Sequence, residues 1–161
     1  MSKAKSLLIV FIAYLVAFVT SIVFLNFLDF GIILNVLCLD IIATMIIYMF
    51  SVYYKNSSIY DPYWSVVPPF LLFYYINFTK AYGLESFILM FSVMFWSCRL
   101  TFNWMRSWPG MHHEDWRYVD MRKYSGKFFE LSNFSGIHLF PTLIVFICCI
   151  PMKNAILKES L

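Results

Sequence analysis

Apolar positions gather in five stretches, at about residues 6–27, 30–54, 66–82, 84–103 and 134–151. Short polar breaks separate the first four, and one long polar segment precedes the fifth. Runs of about 20 apolar residues with few charges match the hydrocarbon thickness of a bilayer when wound into a helix. Lipid offers the backbone no hydrogen-bond partners, so such segments close their bonds internally, as helices rather than isolated strands. The pattern therefore predicts an all-α fold: a polytopic membrane helix bundle of about five transmembrane helices, forming a single membrane domain over residues 1–161. The motif Leu28-Asp29-Phe30-Gly31 reads as a tight turn between the first two helices. Asp61 and Pro62 stand where an N-cap and a first helical residue belong, ahead of the third. Tyr63 and Trp64, beside them, suit interfacial anchors.

Composition agrees with this reading. The chain is 61% hydrophobic and 13% charged, against roughly a quarter charged in a soluble domain. The basic start is followed by an apolar run too long for a signal-peptide core and lacking a small-residue cleavage site, so it reads as a first anchor. A net charge of +3 gives no case for nucleic acid as a partner. Cys38, Cys98, Cys148 and Cys149 all lie in apolar stretches without a C-x-x-C pair and read as buried thiols.

Charge placement adds a topology. With the N-terminus cytoplasmic, that side carries Lys3, Lys5, Lys55, Arg99, Arg106, Arg117, Arg122, Lys123 and Lys127, and the other side only Lys80, Lys153 and Lys158. The excess of positive charge faces the cytoplasm, which puts the segment at about residues 104–133 on that side. Pro68 and Pro69 break the third stretch and admit a re-entrant path.

Candidate chemistry concentrates in the same region. Trp96, Arg99, Asn103 and Arg106 are spaced to share one helical face. Two guanidiniums and an amide there suit an anionic ligand; arginines reaching for lipid headgroups, with a tryptophan belt, are the structural alternative. Downstream, Glu114, Asp115, Arg117 and Tyr118 cluster in sequence, and a helical Asp115 has Arg122 on its own face two turns on. Trp104, Trp108 and Trp116 in this segment favour a packed cap or ligand-binding element over a solvated linker. Three histidines in all, two of them adjacent, speak against a metal site, and no G-x-S-x-G elbow or glycine-rich phosphate loop is present. Asp40, deep in the second stretch, has to be protonated, paired or turned toward a polar cavity.

In order along the chain, YDPYWSVVP (residues 60–68), RLTFNWMRSW (99–108), HEDWRY (113–118) and NFSGIHLFPTLIVF (133–146) resemble the steroid 5-alpha-reductase-like integral membrane proteins. The similarity is to the branch labelled only as a domain of unknown function, over about residues 60–151. The resemblance implies a membrane reductase that uses NADPH to saturate a carbon–carbon double bond in a steroid or other lipid. It sits in the endoplasmic reticulum or a bacterial inner membrane. By the same analogy Arg99, Asn103, Arg106, Glu114, Asp115, Arg117 and Tyr118 surround the cofactor. The catalytic acid is unassigned, and Asp61 and Trp64 match a D-x-x-W element of unassigned role. Members of that family continue into a further helical region with an Asn–Gly–Glu type element, whereas this chain stops at Leu161. The expectation is a partial pocket, inactive alone, completed by a C-terminal complementing chain. The rival expectation is a non-catalytic membrane protein whose charged segment docks a partner or anionic lipid. A small transporter, needing polar residues on several helices, ranks behind both.

Overall fold

The computed structural model describes residues 1–157, so Lys158 and Glu159, part of the charge argument, lie outside the described residues. Helix α1 spans Lys3–Leu25, α2 Ile32–Tyr54, α3 Tyr63–Thr79, α4 Leu84–Ser107, α5 Trp116–Ser125, α6 Phe129–Ser132 and α7 Phe140–Leu157. A 3₁₀ turn at Ser57–Ile59 leads into α3, another at Gly126–Phe128 joins α5 to α6, and a π-helical turn, Asn133–Leu139, joins α6 to α7. The protein is a helix bundle with no strand among the described residues. Four helical stretches are long and apolar enough to cross a membrane: α1, α2, α4 and the run from α5 through α7. The third expected crossing, α3, is not among them: it has 17 residues and so spans about 26 Å.

Local chemistry sets the ends of these elements. Gly31, at φ 87°, turns the chain into α2 in a backbone region that side chains disfavour. Lys55 and Lys80, both left-handed, close α2 and α3. At α3 the capping expectation is corrected. The helix starts at Tyr63, Pro62 occupies the cap position and no side chain caps it, because the Asp61 carboxyl is committed elsewhere.

Packing between helices combines a buried apolar cluster with small residues and hydroxyls, the latter expected where the solvent is itself apolar. The inward face of α1 is Ser6, Val10, Ala13, Ala17 and Ser21, a stripe that lets α2 approach closely; Ser21 donates to the Leu39 carbonyl at 3.1 Å. Helix α3 is the centre of the bundle, packed on both α4 and α7, with Tyr63, Leu71, Leu72 and Tyr75 buried. Ser65 and Thr101 join α3 to α4 at 2.9 Å. Helix α4, by contrast, buries only Ser86 and Ser97. Of the thiols expected inside, Cys149 is buried, whereas Cys98 and Cys148 are exposed: they occupy outward faces of α4 and α7.

The N-terminus, the 55–62 loop and the 108–118 segment meet on one side of the bundle. Lys3 Nζ donates to the Arg106 carbonyl at 2.8 Å, and the Met111 N–H donates to Ser6 Oγ at 3.1 Å. The close passage is made at Gly110, φ 128°, where a Cβ would lie 2.9 Å from Ser6 Oγ. Most of the basic residues thus share a face, which lies opposite the α3–α4 turn that holds Lys80.

Candidate functional site

Two polar assemblies occupy this bundle, one at its charged face and one inside it.

The outer assembly forms where the 55–62 loop receives the 111–122 segment. Asn56, buried, donates through its amide to the carbonyls of Met111 and His113, both at 3.0 Å, while its side-chain oxygen accepts from the Ser58 N–H. Glu114 accepts from the Ser57 N–H at 2.8 Å and pairs with Arg122 at 3.1 Å. The Asp115 N–H donates to Ser58 Oγ, and the Asp115 carboxylate caps α5 and pairs with Arg117 at 2.8 Å. These bonds from the Arg117 side chain hold Asp115 below the usual carboxylate range. Tyr118 donates to Asp61 Oδ1 at 2.6 Å. Burial pushes the Asp61 carboxyl up to about 6, against the pull of the Tyr118 bond, and the buried indole N–H of Trp104 faces the same group.

Among the sequence-level candidates, Glu114, Asp115, Arg117 and Tyr118 are therefore brought together, with Asp61 joining them. Arg122 pairs with Glu114 rather than Asp115, because Asp115 sits at the cap and turns its carboxylate onto the Arg117 N–H and side chain. Arg99, Asn103 and Arg106 lie elsewhere. All three are exposed on the outward side of α4, and none of their side chains bonds another described residue. Trp108 is buried, stacked on Trp104 at 5.0 Å and bonded to the His113 carbonyl, which explains two of the segment's tryptophans as packing. Asp61 and Trp64 both line a groove of about 660 Å³ between α3, α4 and α7, with Trp96 and Trp104.

The inner assembly surrounds Asp40, which is 2% exposed. Tyr63 donates to Asp40 Oδ1 at 2.5 Å. This corrects the expectation of an interfacial anchor: Tyr63 is 1% exposed, because α3 begins at this residue and points it inward. Thr44 donates to the Tyr63 oxygen at 3.0 Å, Thr142 Oγ1 lies 2.7 Å from Thr44 Oγ1, and Tyr60 Oη lies 2.8 Å from Thr142 Oγ1. His138 packs on the Tyr60 ring with centroids 4.8 Å apart. Its Nδ1 is 3.0 Å from the Asn133 carbonyl, five residues back across the π-turn. A carbonyl only accepts, so Nδ1 carries the hydrogen and Nε2 is left with a lone pair, buried and unpartnered.

Asp40 Oδ2 is also buried without a partner, and no ion pair among the described residues involves Asp40. Asp40 and Tyr63 line a cavity of about 540 Å³ walled by Val10, Tyr14 and Ala17 of α1 and by Phe70 of α3. A pocket of that size, apolar but for a few placed polar groups, is the usual form of a site for a small apolar molecule. Sequence reasoning found Asp40 and missed what surrounds it: Tyr60, His138 and Thr142 stand in the quoted stretches 60–68 and 133–146 and Thr44 in none, but nothing in the sequence tied any of them to Asp40.

No solved structure matches the chain. An uncharacterized protein from Schizosaccharomyces pombe is 30% identical over 146 residues, covering 84% of this chain and 42% of the relative. The chain thus spans less than half the length of that relative. The family described as "Protein of unknown function (DUF1295)" matches residues 47–160, from the middle of α2 onward, and so takes in both polar assemblies apart from Asp40 and Thr44. With a match over most of its length, this chain belongs to the DUF1295 family.

Proposed function

We propose that the chain is the N-terminal portion of a membrane oxidoreductase that uses NADPH to reduce a carbon–carbon double bond in a steroid or other lipid, as the resemblance to the steroid 5-alpha-reductase-like proteins implies. One observation carries the reading: an apolar cavity lined by a buried carboxyl, Asp40, with one oxygen bonded to Tyr63 and the other bonded to no described residue. Reduction of an activated double bond adds a hydride to one carbon and a proton to the other. NADPH, when bound, supplies the hydride. Asp40 suits the proton, since a carboxyl buried away from any cation is most stable as the neutral acid, and Tyr63 holds it in place. The walls of α1 and α3 exclude water and orient the lipid.

Arg99, Asn103 and Arg106 fit a phosphate-bearing cofactor: their side chains are exposed, close along one face and unpaired among the described residues. Glu114, Asp115, Arg117 and Tyr118 fit it less directly, because each spends its polar atoms on bonds within the protein. Their part is to shape the loop beside the site. The test is NADPH binding to the protein in nanodiscs, alone and with a complementing chain that supplies the part of the relative this chain does not match. Binding should weaken about tenfold or more in the Arg99→Ala, Arg106→Ala double variant, which removes two charge-assisted contacts. An absence of NADPH binding in both preparations overturns the reading. If the double variant instead loses only its attachment to anionic vesicles, the exposed arginines serve lipid headgroups.

A further inference from the structure

The hydroxyls behind Asp40 have a direction. Each of Tyr63, Thr44, Thr142 and Tyr60 owns one hydrogen, and one assignment satisfies them in series. The Tyr63 hydrogen goes to Asp40 Oδ1, the Thr44 hydrogen to Tyr63, the Thr142 hydrogen to Thr44 and the Tyr60 hydrogen to Thr142, at 2.5, 3.0, 2.7 and 2.8 Å. The Thr142 hydrogen has a second acceptor, the His138 carbonyl at 2.9 Å, so the file can open and close at that residue. The four hydroxyls come from α2, α3 with its leading loop, and α7, and all are buried. Three separate elements have to meet to make this line. It runs from the cavity wall toward the face where Ser57, Asn133 and Glu130 are hydrogen-bonded to one another.

We propose that Tyr60, Thr142, Thr44 and Tyr63 form a proton relay that resupplies Asp40 from the charged face of the protein. The inference rests on Asp40 being the acid of the proposed reaction. When Asp40 gives its proton to a ligand in the cavity, it is left as a carboxylate. The Tyr63 hydrogen then passes to Asp40 Oδ1, the Thr44 hydrogen to the Tyr63 oxygen, the Thr142 hydrogen to Thr44 and the Tyr60 hydrogen to Thr142. A proton from water at the charged face restores Tyr60, so one proton enters, one leaves, and no heavy-atom bond changes. The His138 ring packs against Tyr60 at this end of the relay, with its Nε2 buried and hydrogen-bonded to no described residue. Thr44, Thr142 and Tyr60 act through Tyr63 and are positioning residues.

The experiment reads the carboxyl itself. Infrared difference spectra of the full chain in nanodiscs, with Asp40→Asn to assign the band, follow exchange of the Asp40 acid proton after transfer to deuterated water. Thr142→Val keeps the shape of the side chain and removes the hydroxyl, and it should slow exchange about tenfold or more. Thr142→Ser should restore the rate, which a loss of packing alone would not do. Should Thr142→Val fail to fold, Thr44→Val interrupts the same file one step on and should slow exchange equally. Exchange at the wild-type rate in the folded Val variants overturns the relay, as does the absence of any protonated-carboxyl band lost in Asp40→Asn. Because no cofactor enters this measurement, slowed exchange in a protein that fails to bind NADPH leaves the relay standing and removes only the reductase reading.

Discussion

Asp61 shows how much one residue's burial decides. It lies just before α3, with burial raising its carboxyl to about 6 while the Tyr118 hydroxyl, 2.6 Å away, pulls it down. The folded state therefore binds the proton more tightly than the unfolded chain does. Its stability contribution is full below the ordinary carboxylate value near 4 and is lost as pH rises through about 6. The expected outcome is a tighter 55–62 to 111–118 contact at pH 5 than at pH 7, with Asp61→Asn abolishing the difference. Tyr118→Phe removes the one strong acceptor bond that favours the charged form, so the titration should move upward by about one unit. Carboxyl carbon chemical shifts across a pH series check both. Asp115, three bonds of its carboxylate taken by Arg117, behaves in the opposite sense and stays charged through this range.

At the scale of elements, the informative contact is the one between the 55–62 loop and the segment leading into α5. Asn56 carries it with three hydrogen bonds, two of them to carbonyls more than fifty residues away. Asn56→Ala takes the partner from the Met111 carbonyl and from the buried Ser58 N–H, while the His113 carbonyl keeps its bond from the Trp108 indole; this costs about 1–3 kcal/mol for each unsatisfied group. The variant should melt at lower temperature, and amide exchange should speed up at residues 111–118 while the centre of α3 keeps its protection. Equal loss of protection in both regions would mean that Asn56 supports the whole bundle rather than this joint. The tryptophans belong to the same scale: Trp108 is buried under the joint and stacked on Trp104, whereas Trp116 is 71% exposed. The segment's aromatic content thus has more than one cause.

At the scale of the whole molecule, the helix order places Lys3, Lys55 and Lys123 on one face and Tyr82 on the other. Single-cysteine variants at 55, 123 and 82, built in a background lacking the four native cysteines, test this. Positions 55 and 123 should react with an impermeant thiol reagent from the same side of a sealed vesicle, and 82 only from the opposite side. Labelling of 55 and 82 from one side would make α3 a re-entrant element. The relative is more than twice as long as the matched region, and α4 is the least enclosed of the long helices. Within the described residues, Arg99, Asn103 and Arg106 are thus carried by the least buried of the long apolar helices.

Taken by itself, the sequence determined the class of fold, the approximate place of the apolar helices and the clustering of positive charge on one face, though it expected about five crossings where four helical stretches are long and apolar enough. Apolar run length settles the first two, because a backbone in lipid has to bond to itself and does so as helix regardless of which neighbours it later meets. It also pointed to Asp40 as costly where it stands, and to the 104–133 segment as packed rather than loose. Only the tertiary structure decided the partners. Asp40 meets Tyr63 across 23 residues of sequence, and Thr44 meets Thr142 across 98. Glu114 takes Arg122, while the side chains of Arg99 and Arg106 bond to no other described residue. The reason is rotational: a helix that is apolar nearly all round gives little sequence record of which face turns inward. In lipid, that choice falls to a few hydroxyls and small residues whose complements lie on other helices.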